Sequence, residues 1–461
     1  MSIEFLVVYF GKDKSVIEEC IDQTAKITKI PRDEVMDIVS DRAGKRLGTL
    51  PIEVVVLIIE HLPVQDLLKL CETSRAFDRY CKDNRIWKIL LKRDFGAKGG
   101  DNAKEQYILY SQMLQISCGS GFTGFVRSGK VYMWGRNDKG QSGFRKRENH
   151  LVPTHLPIKE KVVQISCEYL ISGAITENGK LYMWGENTNG TLIHSKQNKI
   201  FTPFIVPVTG KVIQVSCGKD HVGVVTENGK LYMWGDNNSG QIGNGYAGGT
   251  QLTPTLVRFK EKVSQVSCGF ATTGVVTKSG KLYMWGDNQF GALAIGSLGG
   301  LMTMPDHVAI DGKVVQVSSG VSHSGAVTRD GKLYMWGDNQ RGQLGDGTAI
   351  GKSIPTLISS INGVVQVSCG DYHTGAVTKE GKLYMWGSNM FGKLGVRKGI
   401  VASVIPMHVP IPGGVEQVSC GLHNTGVVSK DKKVYMWGSG FHGQIGNGAV
   451  TNSSTPVFID V

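Results

Sequence analysis

The chain has 461 residues, 41% hydrophobic and 20% charged, with 61 glycines and a formal net charge of +12 at pH 7. That length holds two or three domains, and no stretch approaches the roughly eighteen apolar residues of a membrane span, which argues for a soluble protein. Its 9 cysteines form no C-x-x-C pair, which argues against a zinc site and for a reducing compartment, cytosol or nucleus.

Residues 1–46 suggest a small α/β segment. Ile3 to Phe10 suits a strand, Ser15 to Thr28 a helix, and Pro31-Arg32-Asp33-Glu34 the start of another. The apolar start is too short for a signal peptide, contains Glu4 and lacks a basic leader, so it is expected to belong to the fold. It implies no function.

Residues 47–96 carry helical signals. Leu50-Pro51 sets a helix start, and Val54, Leu57, Ile58 and Leu62 follow at helical spacing until Pro63. Asp66-Leu67-Leu68 with Leu70 opens a second helix. With Glu53, Ser74-Arg75, Phe77, Trp87-Lys88 and Leu91 also in place, the segment resembles an F-box, the helical module that docks on a Skp-type adaptor in cullin-RING ubiquitin ligases. The resemblance implies that Leu50, Pro51, Ile58, Leu62, Leu67 and Leu70 face the adaptor, while Phe77 and Trp87 hold the helices together. The alternative is a small helical cap whose Leu and Ile side chains fill its own core. An apolar face on so small a module would otherwise lie exposed, which soluble monomers avoid. Residues 97–112 are expected to be a linker.

From residue 113 to 461 one unit recurs. The tetrapeptide YMWG returns with Trp134, Trp184, Trp234, Trp285, Trp336, Trp386 and Trp437, at intervals of 50 or 51 residues. Each unit has four short apolar runs without helical period; in the fifth they are Val314 to Ser318, Ser324 to Thr328, Lys332 to Trp336 and Pro355 to Ile358. Asp330-Gly331, like Asn178-Gly179 and Asn228-Gly229, is a tight-hairpin signal, both residues tolerating positive φ. Four strands in each of seven units predict a mainly β fold, a seven-bladed β-propeller preceded by the small α-helical module. The terminal strand, Thr455 to Ile459, is expected to pair with the first blade and close the ring, since an open propeller would leave two bare edges. The pattern VVQVSCG, an in-register His, GKLYMWG and then GQLG resembles the repeat of the regulator of chromosome condensation family, throughout residues 113–461.

Lys130, Lys180, Lys230, Lys281, Lys332, Lys382 and Lys433 share one hairpin position and should ring one face. A second basic group is not repeated: Arg136, Lys139, Arg145, Lys146 and Arg147 in the first unit, Lys196 and Lys199 in the second, all in loops expected to meet on one rim. These are the candidate substrate-binding residues. Cys118, Cys167, Cys217, Cys268, Cys369 and Cys420 share a position held by Ser319 in unit five, and suit small buried strand residues. His221, His323 and His373 share another, and the replacements Phe122, Ile171, Thr272 and Asn424 argue for a structural role.

No phosphate-cradling loop, metal-ligand spacing or nucleophile setting is present, so the chain is expected to be no enzyme and to need no cofactor or metal. The two resemblances together imply a substrate-recognition subunit of an SCF-type ubiquitin ligase. Its partners would be a Skp-type adaptor, a cullin scaffold and a protein substrate. The alternative from the propeller family is guanine nucleotide exchange on a Ran-like small GTPase, against which the even spacing leaves no room for an inserted wedge. A chromatin-binding or structural role is the third. Nucleic-acid contact would be nonspecific and salt-sensitive, and no membrane partner is expected.

Overall fold

Every repeat folds into one antiparallel sheet of four strands in chain order, and seven such sheets make the propeller. The computed structural model describes residues 82–95, 103 and 114–461, apart from 189, 193–196, 397 and 398. The chain divides into two compact units, Met1–Gln112 and Met113–Val461.

In the first unit the described element is the helix Asn84–Phe95. Asp83 caps it, its Oδ1 accepting from Arg85 N at 2.9 Å, which satisfies one of the donors a helix start leaves free. Ile86, Trp87 and Leu90 are buried. Among the described residues no helix is long and apolar enough to cross a membrane. Leu50, Pro51, Ile58, Leu62, Leu67, Leu70 and Phe77 lie outside the described residues.

In the fifth blade the strands are Val314–Ser319, His323–Thr328, Leu333–Gly337 and Lys352–Leu357. The outermost begins before Pro355 because an edge strand tolerates a residue without an N–H. The hairpin differs in detail from the expectation. Gly331 N donates to Thr328 O at 2.9 Å, and Gly331 takes φ +82° while Asp330 stays negative. The turn is therefore a three-residue loop ending in a left-handed glycine. Only the first blade has both turn residues left-handed, Ser128 and Gly129.

Ring closure corrects the expectation. The last strand, Ser453–Ile459, pairs with Val434–Gly438 in its own blade, with Tyr435 opposite Phe458. Repeat and blade coincide, so all seven blades present an equivalent outer edge, and pairing the last strand elsewhere would have removed none of them. Closure lies in side chains of the innermost strands instead. Each Gln of the VVQV motif bonds the next blade's inner backbone: Gln214 Oε1 accepts from Val266 N at 2.8 Å and its Nε2 donates to Val266 O at 2.9 Å. Two residues on, Ser216 Oγ accepts from Cys268 N at 2.9 Å. Across the seam Gln417 and Ser419 do the same to Ile116 and Cys118.

The tryptophans bolt the blades farther out. Trp134 donates to Gln444 O at 2.9 Å across the seam, and Trp234 to Thr191 O at 2.8 Å in the blade before it. All seven are fully buried, each in a core shared by two neighbouring blades.

Candidate functional site

An antiparallel meander puts the loops after its first and third strands at one end and the hairpins and inter-blade connectors at the other. The propeller thus has a loop face and a hairpin face.

The lysine ring lies on the hairpin face. Lys180 pairs with Glu160, Lys281 with Glu261, Lys332 with Asp311 and Asp330, and Lys433 with Asp431. Among the described residues Lys130, Lys230 and Lys382 have no such ion pair. Exposed pairs of this kind contribute little stability.

The candidate substrate-binding residues separate into two groups on the loop face. Arg136 turns onto Asp138, Nε to Oδ1 at 2.7 Å, and Lys139 reaches Glu186 of the second blade at 2.7 Å. Arg145, Lys146 and Arg147 are exposed together, with Arg147 stacked 5.2 Å over the ring of Phe201, in the same outer strand of blade two as Lys199. Lys196 lies outside the described residues. Arg145 and Lys159 border a groove of about 460 Å³ between blades one and two, walled by Phe144, Leu156, Ile158 and Tyr182.

His221, His323 and His373 join blades. Their Nε2 atoms lie 3.0, 2.8 and 2.9 Å from the Oγ1 atoms of Thr273, Thr374 and Thr425. Each Thr hydroxyl donates onward to a loop carbonyl, so the imidazole must be the donor at Nε2. Burial pushes His221 down to about 4 and His323 to about 3. The repeat-position cysteines are buried and free, and burial pushes the Cys118 thiol up to about 12, away from nucleophilic chemistry. Among the described residues no group of three His, Cys, Asp or Glu side chains converges as a metal would require.

The channel mouth is a second feature of the loop face. Lys219 N donates to Gly269 O, Phe270 N to Gly320 O and Val321 N to Gly370 O, at 3.2 to 3.3 Å, linking successive blades round the axis. A Cβ on Gly269 would come within 2.5 Å of Gly320 O, so the SCG glycine is needed there. Blade two has Glu168 instead. There Tyr169 takes φ +42°, its N–H turns back to Glu168 Oε1 at 3.3 Å, and Ser120 N donates to Tyr169 O at 3.1 Å. Glu168, Ser319 and Asp371 line the axial space, which has about 10 Å³ free, room for one water. Burial, reinforced by the Asp371 charge, pushes the Glu168 carboxyl up to about 8. Burial also raises Asp371 to about 6 against the pull of Lys393, and lowers the enclosed Lys393 to about 8.

The RCC1-like domain model matches residues 94–363 and again 159–461. The chain belongs to the RCC1-like family. Residues 47–93 match the F-box-like model, so an F-box-like module precedes the RCC1-like propeller. The ultraviolet-B receptor UVR8 of Arabidopsis thaliana is 32% identical over 384 residues, 80% of this chain and 64% of that protein. The X-linked retinitis pigmentosa GTPase regulator of Canis lupus familiaris is 44% identical over 227 residues, 48% of this chain and 22% of that protein. The chain thus spans less than two thirds of either relative. The crystal structure of human WBSCR16 superposes with TM-score 0.66 at 23% identity, covering 72% of this chain and 94% of that one, a likeness of fold.

Within this RCC1-like propeller one position that varies among blades lies at the channel mouth. Ser120, Tyr169, Lys219, Phe270, Val321, Asp371 and Leu422 are one residue per blade at one position. Sequence reasoning passed over them; the available signal was SCE in place of SCG in the second unit.

Proposed function

We propose that the chain is the substrate-recognition subunit of an SCF-type, cullin-RING ubiquitin ligase. Its F-box-like module docks a Skp-type adaptor carried by the cullin scaffold, and the loop face of the propeller holds a protein substrate. The observation that carries this reading is the joining of an F-box-like match and an RCC1-like propeller in one chain. The chain performs no bond chemistry; it holds a substrate lysine near the charged conjugating enzyme and so raises the effective concentration. It works in the cytosol or nucleus, in keeping with its six buried free thiols.

The test is co-purification of the full chain with a Skp-type adaptor, beside a variant carrying Leu50→Ala, Pro51→Ala and Leu62→Ala. Stable binding by the wild type that the variant loses is the expected result. A folded wild-type chain that leaves the adaptor unbound overturns the proposal.

A further inference from the structure

Between blades four and six the loop face holds a pocket of about 240 Å³, smaller than the roughly 300 Å³ at which small-molecule sites begin. Three rings border it: Phe270, Phe290, which is 41% exposed, and Tyr372. Two carboxylates border it as well, Asp287 and Asp338.

Both carboxylates have neutral donors only. Asp287 Oδ1 accepts from Gln289 N at 2.8 Å. Asp338, 8% exposed, accepts from Gln340 N at 3.1 Å, from Gln343 Nε2 at 2.9 Å and from Ser322 Oγ at 3.4 Å. Among the described residues neither has a cation within ion-pair distance. Asp287 is half-buried, while a carboxylate as buried as Asp338 is costly without a cation. The carboxylate position belongs to the repeat, with Glu186 and Asp236 there in blades two and three, but the ring beside it does not: Phe391 matches Phe290 in blade six, while Lys139, Ser239 and Arg341 stand there in blades one, three and five.

We propose that this pocket takes one arginine side chain of a protein partner. A guanidinium is flat enough to stack on the rings and forked enough to meet carboxylates, which a lysine ammonium or a metal ion is not. Two of the rings already carry the chain's own ammonium groups, Lys219 Nζ 4.0 Å over Phe270 and Lys393 Nζ 5.9 Å over Tyr372, which leaves the exposed Phe290 for the incoming guanidinium. At a net charge of +12 the chain as a whole repels a cationic peptide, so affinity for one has to come from a local site. The inference rests on the receptor reading and specifies what the substrate presents.

The experiment is fluorescence anisotropy with the full chain and a fluorescein-labelled peptide of alternating glycine and arginine, against the same peptide with lysine or glutamate. Saturable binding of the arginine peptide is expected, weakened about tenfold by Phe290→Ala and by Asp287→Asn, with denaturation curves unchanged. Lys230→Ala with Lys382→Ala, on the hairpin face, leaves it intact. Absent binding, equal binding by both pocket variants, or equal affinity for the lysine or glutamate peptide overturns the assignment. The assay contains no adaptor, so its failure leaves the ligase reading standing, and failure of adaptor docking leaves the pocket standing.

Discussion

Gln417 holds Ile116 by both backbone groups across the seam between the last and first blades: Oε1 accepts from Ile116 N at 3.0 Å and Nε2 donates to Ile116 O at 3.2 Å. Gln265 treats Val317 in the same way in mid-ring, at 2.8 and 3.1 Å. The seam is chemically like any other interface, although no chain crosses it. Gln417→Ala strands two backbone groups and should cost about 1–3 kcal/mol. Gln265→Ala should cost the same within about 0.5 kcal/mol, since the contacts match. Urea denaturation of both variants checks this; a Gln417→Ala variant as stable as wild type would mean the ring is held shut by something else.

Ser319 has the reverse character. It occupies the position where the other six blades have cysteine, and its hydroxyl is buried with no hydrogen-bond partner. Ser319→Cys exchanges that hydroxyl for a group that does not need one and restores the residue of the sister repeats. It should stabilise the chain by about 1 kcal/mol. Thermal melting of the two proteins decides it, and a lower midpoint for the variant would show that the hydroxyl is satisfied in solution.

The blade count and strand positions were legible because glycine, Asp and Asn punctuate apolar runs at a constant period. The closing of the ring was not. Thr455 to Ile459 has the same alternation whether it pairs with its own blade or the first, and the deciding groups, Gln417 and Ser419, look like ordinary polar residues of a half-buried strand. The basic loops stood out because they break the repeat. Yet Arg136 and Lys139 could not be told from Arg145 and Arg147 by type; their carboxylate partners, Asp138 and Glu186, separate them, and one of those lies a whole repeat away. Phe270 and Phe290 belong to blade four and Tyr372 to blade six, so the three rings become neighbours only when blades four to six stack in register.

Titration at the channel mouth should show in stability. Glu168, ordinarily near 4.5, sits at about 8 in the fold, so between those values the folded chain keeps a proton the unfolded chain has released. The Glu168 contribution to stability therefore falls as pH rises from about 4.5 to about 8 and levels above. Asp371, raised from 3.8 to about 6, adds to the lower part of that decline. His221 and His323 act in the opposite sense: their folded values lie below 6.5, so stability is lost as pH falls from 6.5 towards 4 and 3. Glu168→Gln removes the alkaline decline alone. Urea midpoints should show the variant gaining on wild type from pH 5 to pH 8; a gap constant across that range would refute a protonated Glu168 in the folded chain.

The exposed triad Arg145, Lys146 and Arg147 should be the main polyanion-binding surface, because it is concentrated in three consecutive residues, whereas Lys130, Lys230 and Lys382 are dispersed round the hairpin face. Serine at all three triad positions removes the same charge as serine at the three hairpin lysines. Both variants should keep wild-type stability within about 0.5 kcal/mol, since these side chains are at the surface. Neighbouring cations can release counterions from one stretch of polyanion together, and dispersed ones cannot. On a heparin column the triad variant should elute at distinctly lower salt than wild type, and the hairpin variant close to wild type. The reverse order would place anion binding on the hairpin face and free the loop face for uncharged or cationic partners.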